Sequence, residues 1–444
     1  MRTILVIGAG RSSSSLIKYL LDHAQEQQWR VRVGDTDIHL ARQKTGGHPH
    51  ADAFEFNALD PEQRRNEVQK SDLVISMLPA RFHMEVVMDC IALKKHVLTP
   101  SYVTDEMRAM HQQAVDAGIL IMNEIGVDPG LDHLSAKQIL DRIADMGATI
   151  KTFESFTGGL IAPESDNNPW NYKFTWNPRN VVLAGQGGAA KFIQEKQYKY
   201  IPYHQLFRRT EIIDIDGYGS FEGYANRDSL RYREVYGLHD IPTIYRGTLR
   251  RVGFCRAWDV LVKLGMTDDS YVLEGSEHMT YRDFTNAFLA YDPHNTVELK
   301  LRHYLKIDSD DTMWEKLVWL GLFDRKPVGL KNATPAQILQ KILEEKWTLE
   351  PHDKDMIVMW HKFEYQLNGH DHELHSSMVY IGKDQTYTAM SDTVGIPAAV
   401  MAKRMINGQV PYTGVQLPLY KDIYEPMLQE LAGYNMLFHE KEVR

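Results

Sequence analysis

The sequence predicts an α/β protein: a doubly wound parallel sheet, then a mixed α/β domain with a helical stretch set into it. Three observations predict this. Apolar strand-like runs alternate with helix-like stretches over the first 130 residues, and the first run ends in a glycine-rich turn. The pattern then changes to strand-like segments, to helices, and back to strands.

Ile4, Leu5, Val6 and Ile7 form the first strand, which stops at Gly8-Ala9-Gly10. A helix follows from Ser13 to about Glu26, with Leu16, Ile17, Leu20 and Leu21 on one face. Strand, glycine turn and helix in this order form a dinucleotide site. Gly8 permits the tight turn and Gly10 lets the backbone approach a pyrophosphate, which the positive end of the helix then faces. Ser13 stands where a third glycine is usual and is small enough for close packing of helix on strand. The second strand, Arg30 to Asp35, ends in a carboxylate 22 positions after Ser13. A carboxylate there accepts from both adenosine ribose hydroxyls and repels a 2′-phosphate. NAD is therefore the expected cofactor, with NADP kept as the alternative because Arg42 lies close.

A third strand, Ala53 to Asn57, precedes a helix opening at Asp60-Pro61. Leu73 to Pro79, His96 to Thr99 and Ile119 to Asn123 are the next strands, with helices at about Phe82 to Leu93 and Asp105 to Ala117 between them. Ligands of such sheets sit beyond the carboxyl ends of the strands. The residues there are Leu78-Pro79-Ala80, Ser101-Tyr102 and the run Glu124 to Gly130, whose two carboxylates, two glycines and proline suit a shaped loop at the nicotinamide end. The cofactor-binding candidates are Gly8, Gly10, Arg11, Ser12, Ser13, Asp35, Asn57, Leu78 and Pro79.

Beyond Leu131 a helix at Ser135 to Met146 leads into strands at Ile150 to Phe156, Val181 to Ala184, Glu211 to Ile215 and Phe221 to Ala225. Helices then dominate from about Ala257 to Lys346, and Thr334-Pro335 makes a good cap and first turn for the last of them. Strands resume at Asp355 to Leu367 and turn through Asn368-Gly369, a strong hairpin signal, into Glu373 to Ile381. Thr386 to Ile406 reads as a helix perturbed by Gly395 and Pro397, and Tyr420 to Leu431 as a short final helix.

The 444 residues suggest two or three domains. Their net charge of −9, from 50 basic and 59 acidic residues, leaves no footprint for nucleic acid and fits a protein handling small molecules. Cys90 and Cys255 supply neither a disulfide framework nor a zinc site. No apolar run approaches the roughly 18 residues of a membrane helix, and the start of the chain lacks signal-peptide architecture, so the cytoplasm is the expected compartment. His370, His372 and His375 fall on two faces of a strand without a thiolate, and no metal is expected.

The chain resembles the glutamate-forming saccharopine dehydrogenases, or saccharopine reductases, over nearly its entire length. The carriers are ILVIGAG near the start, MLPARFH from Met77, SYVTDEM from Ser101 and NEIGVDPGLDHL from Asn123. FTGGLIAPESDNNPWNYKFTWNPRNVVLA from Phe156, NRDS from Asn226, YRGTLRRVGF from Tyr245 and TAMSDTVGIPAAV from Thr388 complete them. The resemblance implies a Rossmann domain of residues 1–130 and 388–444, completed by C-terminal elements. It also implies an α/β substrate and dimerisation domain of residues 131–256 and 352–387, an all-helical insertion of residues 257–351, and a homodimer. The implied reaction interconverts saccharopine with glutamate and 2-aminoadipate 6-semialdehyde through an imine, with a nicotinamide cofactor. Lysine 6-dehydrogenases and carboxynorspermidine dehydrogenases are similar but lack so extensive a helical segment, and a non-catalytic nicotinamide-binding sensor is a further alternative. Two departures stand out. Fungal members generally carry an arginine-containing turn after the second strand, where this chain has Gly34-Asp35-Thr36-Asp37. They often have a cysteine before the Gly-Gly pair, where this chain has Thr157.

Oxidising a secondary amine requires a proton acceptor, and binding an amino dicarboxylate requires cations, arginine best of all. By resemblance Asp128 is the acid–base residue and Tyr102 assists it. Ser101, Tyr102, Asp128, Arg227, Arg246, Thr248, Leu249 and Arg250 bind substrate, with Arg227 and Arg250 the main carboxylate clamps. Glu124 and His133 rank lower.

Overall fold

The computed structural model describes residues 1–443. The chain divides into two compact units. One comprises residues 1–150, 366–370 and 378–441; the other comprises residues 151–365 and 371–377 with the last residues from Glu442.

In chain order the first unit opens with β1 (Arg2–Ile7), α1 (Ser14–Asp22), β2 (Trp29–Asp35), α2 (Ile38–Thr45), β3 (Ala51–Glu55), α3 (Pro61–Gln69) and β4 (Leu73–Ser76). It continues with α4 (His83–Leu93), β5 (His96–Leu98), α5 (Asp105–Ala109), α6 (His111–Ala117), β6 (Leu120–Met122) and α7 (Leu131–Asp145). The second unit follows with β7 (Thr149–Ile161), α8 (Pro178–Val182), β8 (Ala190–Gln194), β9 (Gln197–Ile201), β10 (Thr210–Ile215), β11 (Gly219–Ala225), α9 (Arg231–Tyr236) and β12 (Thr243–Arg251). Five helices come next: α10 (Phe254–Leu264), α11 (Tyr281–Ala287), α12 (Val297–Leu305), α13 (Thr312–Trp319) and α14 (Pro335–Trp347). The hairpin β13 (Asp355–Leu367) and β14 (His370–Ile381) leads to α15 (Ala389–Ile406), β15 (Gly414–Gln416), α16 (Lys421–Ala432) and β16 (His439–Glu442).

The first sheet has seven strands in the order β15-β6-β5-β4-β1-β2-β3, with every pairing parallel. The doubly wound sheet expected from the alternation is present, and the order reverses between β1 and β4, beside the glycine turn. Ile4 to Ile7 are fully buried, as a strand covered on both faces must be. The C-terminal segment returns to this sheet as β15, a strand of three residues too short to announce itself by periodicity. Helix α15 packs directly on α1. A Cβ on Gly395 would come within 2.6 Å of the Leu16 nitrogen, so only glycine permits this approach. Gly395 and Pro397 were expected to perturb the helix; α15 nonetheless runs as one element of 18 residues.

The second sheet has nine strands, ordered β10-β11-β12-β7-β13-β14-β16, with the β8–β9 hairpin attached through β8 to β12. The structure adds elements that the sequence reading does not contain, among them α2 and the β8–β9 hairpin, and it differs in three further details. Val181 to Ala184 is not a strand, because Asn177 caps a short helix by accepting from the Arg179 N–H (2.9 Å), with Pro178 at its first position. The helix expected from Asp105 to Ala117 is two short helices separated at Met110. Strand β12 sits in the interior of its sheet, although its glycine and three arginines carry no apolar alternation. Elsewhere the caps are the expected ones: Asp60 accepts from the Glu62 and Gln63 N–H groups, and Thr334 and Gln337 form a capping box.

Candidate active site

The glycine turn follows β1 directly. Gly8 adopts a φ of +104°, and a Cβ there would meet the Met77 carbonyl oxygen at 3.1 Å. At Gly10 an added Cβ would find no atom within 4 Å, so the backbone faces open space where a pyrophosphate would sit. Ser13 is buried and its hydroxyl donates to the Gly10 carbonyl (2.8 Å), locking the turn onto the start of α1, while Arg11 is exposed and Ser12 half-buried. The Asp35 carboxylate at the end of β2 lies against this turn, accepting from the Ala9 N–H (2.6 Å) and the Asp37 N–H (2.9 Å). A cavity of about 380 Å³ at the ends of β2 and β3 is lined by Thr36, Glu55, Phe56, Asn57 and Gln63. It has an acidic wall and no lysine or arginine. Leu78 and Pro79 follow β4 on the other side of the turn. An open cradle at Gly10, a closed turn at Gly8 and a carboxylate between them fit a dinucleotide.

Farther along the same edge, the ends of β5 and β6 bring Ser101, Tyr102 and Asp128 into one unit. The Tyr102 hydroxyl donates to Asp128 Oδ1 at 3.0 Å, and the Tyr102 side chain is 39% exposed. Asp128 projects from a loop that closes on itself. The Gly126 N–H donates to the Pro129 carbonyl and the Leu131 N–H to the Gly126 carbonyl, both at 2.9 Å. Gly130 is obligatory, since a Cβ would fall 2.1 Å from the Gly126 oxygen.

Two buried supports hold this region. Glu124, with a φ of +57°, accepts from the Val103 N–H (2.9 Å) through Oε1 and contacts His133 Nε2 (2.6 Å) through Oε2. Its own N–H donates to the Ser101 carbonyl at 3.1 Å. Glu124 and His133 thus shape the backbone that carries Ser101 and Tyr102. The second support, His83, is a site residue that motif reading missed, although it lies inside MLPARFH. Its Nδ1 is 2.8 Å from Ser76 Oγ and its Nε2 is 2.8 Å from Ser101 Oγ. Burial pushes the imidazole down to about 4, so it is neutral at physiological pH. No local spacing signals this contact, which pairs residues on two strand ends.

The arginine candidates belong to the second unit. Strand register places Ser155 opposite Arg246 and Thr157 opposite Thr248, so these residues share one face of the sheet with Arg250. Leu249 points to the other face, where Gly158 lets it approach: a Cβ on Gly158 would come 2.7 Å from the Leu249 oxygen. Arg250 is 4% exposed and enclosed by the rings of Tyr172, Tyr224 and Phe254, whose centroids lie 5.1, 5.8 and 5.4 Å away. It donates to the Leu249 carbonyl (2.8 Å), its Nε has no partner, and it makes no ion pair among the described residues. Arg246 is also buried, 3.8 Å from the Tyr232 ring centroid. Arg227 is exposed, with a φ of +38°. Thr157 is buried and its hydroxyl has no partner. Among the described residues no cluster of three His, Cys, Asp or Glu side chains is arranged around a metal position, and no helix is long and apolar enough to cross a membrane.

Comparison with known proteins is consistent along the chain. A family model described as the saccharopine dehydrogenase NADP binding domain matches residues 4–122, and one described as the saccharopine dehydrogenase C-terminal domain matches residues 126–436. The chain is 33% identical to saccharopine dehydrogenase (NADP(+), L-glutamate-forming) of Pyricularia oryzae, covering 100% of this chain and 99% of that protein. It is 31% identical to the mitochondrial alpha-aminoadipic semialdehyde synthase of Bos taurus over 98% of its own length, but spans only 47% of that relative. Among solved structures, apo histidine-tagged saccharopine dehydrogenase (L-Glu forming) from Saccharomyces cerevisiae matches with a TM-score of 0.90 at 29% identity, with both chains fully covered.

Proposed function

The chain belongs to the saccharopine dehydrogenase family, and from that premise we propose that it interconverts saccharopine with L-glutamate and 2-aminoadipate 6-semialdehyde. The observation that carries this reading is the Tyr102–Asp128 pair at the ends of β5 and β6, on the same ligand edge as the glycine turn. In the oxidative direction saccharopine loses a hydride from carbon and a proton from nitrogen, giving an imine. Water adds to it, and the carbon–nitrogen bond breaks to release glutamate and the semialdehyde. The nicotinamide ring, when bound, takes up that hydride or supplies it in reverse. Gly8, Gly10, Arg11 and Ser12 would hold its pyrophosphate, Ser13 locking the turn through the Gly10 carbonyl, with Asp35, Asn57, Leu78 and Pro79 on either side.

Asp128 accepts the proton from the secondary amine at its carboxylate and returns it to the departing amino group. Tyr102 keeps that carboxylate oriented through its hydroxyl. Arg227, Arg246 and Arg250, with Thr248 on the sheet face that carries Arg246 and Arg250, are assigned to substrate carboxylates, and Ser101 to the same task at the end of β5; Leu249, turned to the other face, takes no part. Arg250 supports this assignment most strongly. Glu222 stands opposite it on β11 and interacts with it electrostatically without forming an ion pair, which leaves the guanidinium available to a ligand carboxylate. Thr157 offers no thiol, so proton transfer rests on Asp128.

The names of the fungal relatives carry NADP(+), and the matching family model is described as an NADP binding domain. We infer NAD, because the Asp35 carboxylate lies against the turn and the adjoining cavity has Glu55 and no cation in its wall. A 2′-phosphate there meets repulsion. The two cysteines are buried and free, which fits a reducing compartment, and we place the protein in the cytoplasm as a homodimer acting on free amino acids. The five helices α10 to α14 favour saccharopine over lysine alone as the substrate.

The test is spectrophotometric: absorbance of the reduced cofactor is followed with saccharopine, then with lysine, each with NAD and NADP. Turnover of saccharopine with NAD preferred is the expected result. Turnover of lysine but not saccharopine overturns the substrate, none with either favours the sensor, and an NADP preference overturns the cofactor.

A further inference from the structure

We propose that His83 is a positioning residue that fixes the direction of the Ser101 hydroxyl, making Ser101 a hydrogen-bond donor reserved for a carboxylate of the substrate. The inference deepens the functional reading above and rests on it for the identity of the substrate.

The argument is an accounting of hydrogens. His83 is 3% exposed, and its neutral ring has one N–H and one bare nitrogen. Ser76 is 1% exposed, and His83 Nδ1, at 2.8 Å, is the sole partner of its hydroxyl among the described residues. If Nδ1 carried the hydrogen, the Ser76 hydroxyl hydrogen would be buried with nothing to accept it, a loss on the order of 1–3 kcal/mol. The Ser76 hydroxyl therefore donates to Nδ1, and the ring hydrogen sits on Nε2. That N–H points at Ser101 Oγ, 2.8 Å away, with Thr99 Oγ1 a longer contact at 3.3 Å. Thr99 Oγ1 accepts from the Ser101 N–H at 3.3 Å, and with the shorter contact to Nε2 held by Ser101 its own hydrogen has no acceptor among the described residues in either tautomer, so Ser76 decides between them. Ser101 Oγ accepts from the imidazole, and its own hydrogen has no acceptor among the described residues.

Ser101 is half-buried, stands at the end of β5, and is one residue from Tyr102. Its backbone is pinned by the Glu124 N–H on its carbonyl. A hydroxyl with an unspent hydrogen at a fixed place seeks an acceptor. In saccharopine as it binds, with its nitrogens protonated, the acceptors are carboxylate oxygens, whereas an ammonium group offers only donors. Ser101 is thus assigned to a carboxylate, and the nitrogen of the substrate is left to Asp128 and Tyr102. The opposite tautomer would turn Ser101 into an acceptor and favour the amine.

The full-length protein labelled with 15N-histidine tests the tautomer directly, by long-range 1H–15N correlation, with the His83 signals identified by their loss in His83→Gln. The Nε2–H pattern is expected, and the Nδ1–H pattern overturns the proposal. This reading needs no turnover, so a protein inactive on saccharopine sinks the functional reading while the spectrum still decides His83. Kinetics test the consequence. Ser101→Ala and His83→Phe should each raise the saccharopine KM about tenfold, the size expected for one hydrogen bond to a charged group. The NAD KM should stay within twofold. In the double variant the effects should not add, because His83 acts through Ser101. His83→Gln, whose amide can accept from Ser76 and donate to Ser101, should recover most of the loss. Additive effects, or an equal rise in the NAD KM, would make His83 merely structural and overturn the proposal.

Discussion

The two ends of the ligand edge of the parallel sheet are built by different means. At β1 and β2 the geometry belongs to the backbone: Gly8 in a left-handed turn, Gly10 facing open space, and the Ala9 N–H tied to Asp35. At β5 and β6 it belongs to side chains resting on other side chains: Ser101 on His83, Tyr102 on Asp128, and the Val103 backbone on Glu124. A backbone-built site fails when a Cβ is added. A side-chain-built site fails when one atom is changed, with the fold intact. The contrast predicts separable losses, in cofactor binding at one end and in turnover at the other.

The largest effect is expected from Asp128→Asn. The amide keeps an oxygen for the Tyr102 hydroxyl but cannot take a proton, so kcat should fall by about 10²–10⁴, the usual worth of a general base. Affinity for the nicotinamide cofactor, measured by fluorescence titration, should stay within twofold. A kcat within threefold of the parent would remove Asp128 from proton transfer and dissolve the contrast.

Gly8→Ala is the converse. Its φ of +104° and the Met77 oxygen 3.1 Å from the new Cβ leave no relaxed place for a methyl group. Strain of roughly 1–3 kcal/mol, about 5- to 150-fold, should appear as weaker binding of the nicotinamide cofactor. Turnover at saturating cofactor should change by less than threefold. A loss of turnover equal to that of Asp128→Asn would mean that the two ends act as one.

The same contrast sets how much was legible in the sequence. Gly8, Gly10 and Asp35 announce themselves because a backbone site needs particular residue types at short spacings. The Asp128 loop is legible for the same reason, since Gly126 and Gly130 close it locally. His83 was invisible, because its contacts join residues 76, 83 and 101 across two strand ends and depend on the strand order. Arg246 and Arg250 were identified as residues but not as buried ones. Strand β12 carries no apolar alternation, and only its place between β7 and β11 takes its arginines out of water. Val181 to Ala184 misled because a short apolar run serves a strand or a helix, and the Asn177 cap decided between them. The return of the chain to the first sheet rested on resemblance alone, since β15 is three residues long.

The smallest effect concerns acid. Burial moves the proton affinity of the His83 imidazole down to about 4 from the ordinary 6.5. The unfolded chain then binds a proton between those values that the folded protein does not. Stability contributed by the neutral ring is complete above pH 6.5 and declines as pH falls toward 4. His83→Gln lacks this dependence, so the parent should lose stability more steeply than the variant between pH 6.5 and pH 5. The difference in slope is at most about 1.4 kcal/mol per pH unit, the value for one proton. Urea midpoints of both proteins across that range measure it, and the absolute stability of the variant does not enter. Parallel profiles would mean that His83 is as ready to protonate in the fold as in the open chain. The side-chain-built end would then lose the neutral imidazole on which the direction of Ser101 depends.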